Sequence, residues 1–190
     1  MTTFSSWGPV GDGRLKPDLV APGAQVGDDH GVTSTAPGNQ YAVMQGTSMS
    51  APAVSGAIAL LVEDYRIRFN NQNPLPSLVK ALLLHTAEDL EAAPWFSRGP
   101  DFASGYGRLQ VRDAVDQLRG GGVLVGLVED GQARTYPLQV PEGTTAVKLT
   151  LAWDDPAGLE NAAVALVNDL DLVVVDPLGR RHYPWTLDPA

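Results

Sequence analysis

The stretch from Thr47 to Phe69, TSMSAPAVSGAIALLVEDYRIRF, constrains every residue around it. Val54, Ile58, Leu61, Val62 and Tyr65 recur at helical spacing, which predicts a helix from Thr47 to about Phe69. Gly56 and the alanines and serines leave room for close packing against a sheet. Pro52 is tolerable only in a first turn, which places the helix start near Thr47 or Ser48. Residues 1–40 are rich in Gly, Pro, Ser and Asp, with one strand-like run at Leu19–Ala21. They read as loops around a lone strand, which cannot bury such a helix. The parallel sheet that should cover it is not encoded in these residues.

Further along, NPLPSLVKALLLHTAEDL predicts a second helix. Pro76-Ser77 is its start signal, and Leu78, Leu82 and His85 follow at helical spacing. GYGRLQVRDAVDQLRGGG predicts a third, short helix ending at Gly120–Gly122, and that triple glycine is the expected domain boundary. Residues 1–120 form one expected unit. From Val123 the texture changes to β-branched runs between turn residues, so 123–190 reads as the start of a β-sandwich or barrel, cut short.

Bulk properties exclude some functions. The net charge is −9, from 13 basic and 22 acidic residues, and no Lys/Arg cluster offers a nucleic-acid surface. There is no cysteine, hence no disulfide and no thiolate metal site. No apolar run reaches the roughly 18 residues of a membrane span. MTTFSSWGPV lacks the basic-then-apolar pattern of a signal peptide.

Ser48 opens the first helix. A helix N-terminus carries unpaired N–H groups and partial positive charge, so a serine there sits beside donors able to hold an oxyanion. Gly46 permits a tight turn in front of it. The plainer alternative is that Thr47 or Ser48 merely caps the helix. The motifs GTSMSAP and AVSGAIALL, with FSSWGPVGDGRLKPDLVAPG upstream and PSLVKALLLHTA and GYGRLQVRDAV downstream, resemble the subtilisin-like serine proteases (subtilases) in order and spacing. Ser50-Ala51 departs slightly from the family's usual pair. The resemblance implies an α/β fold, the C-terminal portion of a subtilisin-like parallel-sheet domain. It implies a serine endopeptidase with Ser48 as nucleophile in a loop of Gly46, Thr47, Ser48 and Met49, acting on polypeptides without a catalytic cofactor. It also implies an extracellular setting and no nucleic-acid or membrane partner. Met49 would flank the site as an oxidation liability, or simply pack.

A serine needs a base, and the base an orienting carboxylate. The family's Asp and His motifs do not occur before Ser48. His30, beside Asp28 and Asp29, has the right chain order but lacks the family's motif; His85 falls inside a helix; His182 lies in the β region. The chain therefore reads as the C-terminal part of a longer protease. It is expected to be inactive and poorly stable alone, pairing with itself or with the missing N-terminal part of the catalytic domain. The alternative is a non-catalytic fragment or pseudoprotease with a β partner-binding or stabilising module.

KLTLAWDDPAGLENAAVALVNDLDLVVVDPLGRRHYPW resembles the β-barrel or jelly-roll domain that trails some large subtilases. On a strand, Asp169 and Asp171 would share one face about 7 Å apart. With Asp154 and Asp155 across the sheet they are candidate ligands for a structural calcium ion. The competing expectation is a solvated acidic face or turn-capping aspartates.

Overall fold

A computed structural model describes residues 1–24, 31–90 and 98–187. The described elements run β1 (Val32–Ala36), β2 (Gln40–Met44), α1 (Thr47–Arg68), α2 (Pro76–Thr86), α3 (Val111–Gly120), β3 (Val174–Val175) and β4 (Arg181–His182).

The three helices stand where the periodicity puts them. α1 begins at Thr47 and stops before Phe69, whose ring stacks on Tyr65 one turn back at 4.3 Å. Asn70 and Asn71 then take positive φ, a conformation asparagine tolerates, and the Asn71 N–H donates back to the Arg66 carbonyl (2.8 Å). Pro52 lies in the second turn rather than the first. Its missing N–H costs the Ser48 carbonyl its usual i+4 donor. α2 starts on Pro76 as expected, and α3 ends on Gly121 in the left-handed conformation (φ 75°).

The core sits where the helices meet. Leu61 of α1, Leu78, Val79, Leu82 and Leu83 of α2, and Ala114 and Leu118 of α3 are buried together. Asp64 of α1 ties α3 to this junction through Arg119 (2.7 Å), and also pairs with Arg68 (2.9 Å). Among its described neighbours α1 is thinly covered, with only Ala57 and Leu61 buried. Residues 47–62 carry no charged side chain, and Leu60 and Ile67 stand 58% and 76% exposed. A helix apolar or small all round is suited to burial on every side.

The Leu19–Ala21 run forms a single parallel bridge, Val20 to Arg108, and Arg108 bridges antiparallel to Glu88 on its other side. No larger parallel sheet occurs among the described residues. The β1–β2 hairpin was not expected from the sequence. Its three-residue loop places Gly38 and Asn39 at positive φ (80° and 58°), and Val32 pairs with Met44.

The expected jelly-roll is the largest difference. Among the described residues of 123–187, only β3 and β4 pair, antiparallel over two residues each, and none is buried. The alternation is right for half-buried strands. Strands need neighbours and a second layer, however, and these residues do not provide them for one another.

Candidate active site

Two glycines shape the turn that presents Ser48. The Gly46 N–H donates to the Gly23 carbonyl (2.8 Å), so the APG segment (residues 21–23) holds the turn from behind. Gly46 is the N-cap of α1 with φ 142°, a conformation hostile to side chains. A Cβ there would stand 3.8 Å from the Ser48 nitrogen, an ordinary contact, so it is the backbone conformation and not a lack of room that calls for glycine. No side chain caps α1, which removes the capping role for Thr47 and Ser48. Both are exposed, and Met49 and Ser50 are half-buried. The Met49 N–H donates to the Gly46 carbonyl (3.0 Å).

Gly23 is a positioning residue that motif reading alone passed over. A Cβ on it would lie 2.2 Å from Ser50 Oγ and 2.6 Å from the Gly46 carbonyl oxygen. Gly23→Ala is expected to push the turn that presents Ser48 outward and, should Ser48 be the nucleophile, to slow its labelling by roughly 10–100-fold, since displacements near 1 Å cost that much. Gly11→Ala, where nothing lies within 4 Å, is the control, and active-site labelling rates compare the two.

The segment leading into Gly23 is itself anchored. Asp18 pairs with Lys16 and with Lys80 of α2 (3.0 Å for Lys80). Burial raises the Asp18 pKa, but the two ammonium groups outweigh it and leave the carboxyl below the ordinary range.

The expected partners of Ser48 are not brought to it. His30, with Asp28 and Asp29, lies outside the described residues. The His85 Nδ1 is 3.0 Å from Thr150 Oγ1, and burial, aided by Lys148, lowers its pKa. The His182 Nε2 lies 3.3 Å from Asp176, which also accepts from Arg180 and the backbone. Gly46 is thus the N-cap of α1 and Thr47, Ser48 and Met49 lie in its first turn, without a described base.

The structure does not bring the four aspartates together. Asp154 accepts from the Ser77 N–H (3.0 Å) and hydroxyl (2.7 Å). Asp155 accepts from the Val167 N–H (2.8 Å), and from the Asn168 N–H (3.0 Å) and side-chain amide (2.8 Å), which together hold its pKa low. Asp169 and Asp171 are exposed, and the described residues contain no group of three or more His, Cys, Asp or Glu placed to hold a metal. The turn-capping reading fits Asp154 and Asp155, whose oxygens accept backbone N–H groups at a helix start and in a loop.

Comparison with known proteins places these features in context. The Peptidase_S8 model, described as the Subtilase family, matches residues 1–107. A C5a peptidase of Streptococcus pyogenes is 39% identical over 92 residues, covering 47% of this chain and 8% of that protein. The serine protease/ABC transporter B family protein tagA of Dictyostelium discoideum is 26% identical over 204 residues, covering 90% of this chain and 11% of that protein. The solved Clostridium perfringens CspB protease superposes with a TM-score of 0.47 at 32% identity, covering 56% of this chain and 21% of that one. The chain spans about a tenth of the length of these curated relatives.

Proposed function

This chain belongs to the subtilase family, and from that premise we propose that it carries the nucleophile of a serine endopeptidase, Ser48. The observation that carries the reading is the exposed residue Ser48 at the N-terminus of α1, with no capping duty, behind an N-cap glycine whose φ disfavours side chains.

The chemistry follows from that placement. Ser48 Oγ attacks the scissile carbonyl carbon while its proton passes to a base. The oxyanion lodges against the first-turn N–H groups, where the helix end is positive. The C–N bond then breaks as the amine leaves with that proton, and water hydrolyses the ester to free Ser48. His85 and His182 are engaged elsewhere, so the base and its carboxylate are assigned to polypeptide outside the described residues. The partner is the sheet layer of a subtilase catalytic domain, which would cover the exposed faces of α1. A secreted setting and a trailing jelly-roll belong to the same reading by resemblance. No described helix is long and apolar enough to cross a membrane.

The test is a fluorophosphonate probe, applied to the chain alone and with a catalytic segment bearing the Asp and His motifs. Labelling of Ser48 only in the mixture supports the proposal. Labelling in neither favours a second reading, a pseudoprotease, which the engagement of both described histidines also supports. Efficient labelling of the chain alone overturns the assignment of the base.

Gly56 tests the covering layer separately. A Cβ there meets nothing within 4 Å. In the chain alone, Gly56→Ala is expected to stabilise by about 0.8–1 kcal/mol through helix propensity. In the assembled protein the same methyl is expected to obstruct close packing, weakening assembly. Thermal melts of the two preparations should move in opposite directions.

A further inference from the structure

Segment 148–155 follows the boundary glycines, yet it is fastened at both ends to α2. At the helix start, the Asp154 carboxylate accepts both the N–H and the hydroxyl of Ser77 (3.0 and 2.7 Å). It thereby does what α2's own N-cap, Leu75, has no side chain to do. At the helix end, His85 Nδ1 meets Thr150 Oγ1 at 3.0 Å. The lengths agree. From Ser77 to His85 a helix rises about 12 Å, and from Thr150 to Asp154 an extended chain covers about 13 Å, running the other way. Thr150, Ala152 and Trp153 are half-buried while Leu149 and Leu151 are partly exposed, as in a segment lying on a surface.

We propose that residues 148–155 form a strap laid lengthwise on α2, and that His85 is the fastening that releases it as pH falls. This is independent of the role given to Ser48. The charged groups around the ring favour release. Lys148 sits on the strap beside the imidazole and bears on it electrostatically. Asp89, beyond the helix end, acts on Lys148 instead, and Lys80, the other basic residue of α2, is paired with Asp18. Burial and Lys148 both disfavour the imidazolium, so the closed strap holds neutral His85 and the open one takes up a proton. The contact is complete above the ordinary histidine value of about 6.5 and is lost progressively below it.

The absence of cysteine allows two labels to be placed without background. Spin labels on Arg112→Cys, exposed on α3, and Leu151→Cys, exposed on the strap, report their separation in the full chain. A single narrow distance is expected at about pH 7.5. The released fraction should rise steadily as the pH is lowered from there to about 5, below the ordinary histidine value. His85→Gln keeps a hydrogen-bonding group without titrating, and should stay narrow at both pH values. Asp154→Asn and Thr150→Val should broaden the distribution at both. Far-UV circular dichroism establishes that each variant is folded, and Thr150→Val carries the test should His85→Gln fail to fold. A distribution unchanged by pH in the parent, or a pH response that survives in His85→Gln, overturns the proposal. So does a narrow distribution in Thr150→Val.

Discussion

Ser48→Ala is expected to abolish covalent labelling and to cut peptide hydrolysis by the assembled protein by roughly 10^4-fold or more, because the proposed acyl-enzyme forms on the Ser48 hydroxyl. Ser48 is solvent-exposed and its hydroxyl caps nothing, so the substitution should leave the fold untouched. Unchanged thermal melting alongside lost hydrolysis is the expected signature, measured with a fluorogenic peptide. Retained hydrolysis would move the nucleophile elsewhere, and Ser50, packed against Gly23, would be the next residue to test. Thr47→Ala is the useful contrast, since removing an exposed hydroxyl one residue away should cost far less.

The largest loss of stability is expected at Gly107. Its φ of 113° is closed to residues with side chains, and a Cβ would lie 2.1 Å from the Glu88 carbonyl oxygen. The two effects together predict a cost of roughly 3–5 kcal/mol for Gly107→Ala, a large share of a typical domain's total. Chemical denaturation followed by far-UV circular dichroism measures it, with Gly120→Ala, which has open space around it, as reference. The loss reaches beyond the turn. The Gly107 carbonyl accepts the Val20 N–H (2.9 Å), and Arg108 and Glu88 exchange backbone hydrogen bonds (2.7 and 2.9 Å). That ladder fixes the segment ending at Gly23, which in turn holds Gly46. A fault at Gly107 should therefore slow Ser48 as well as loosen the fold.

What could be read from the residues alone follows the range of the forces involved. The helices were legible because spacing, start signals and stop glycines are local. Pro76 and Gly121 act within one turn of their own position. The place of Ser48 was legible for the same reason. The β1–β2 hairpin is not evident from the sequence although part of its signal is present: β-branched residues in VTSTA, followed by a Gly-Asn turn. The weight of surrounding Gly, Pro and Ser hid it. The roles of Gly23 and Gly107 could not be read, because each depends on a carbonyl more than fifteen residues away. The bonds that Asp154 and Asp155 of WDD make could not be read for a similar reason. Their neighbours suggest a strand end, but Asp154 answers a helix start 77 residues earlier.

The bare flank of α1 bears on safety as well as on packing. The helix that displays Leu60 and Ile67 to water begins with the reactive hydroxyl. On the proposed reading, the layer that would shield those side chains also delivers the proton acceptor. An unassembled copy is then harmless to its neighbours, and the hydrolase is armed in the same step that makes it soluble.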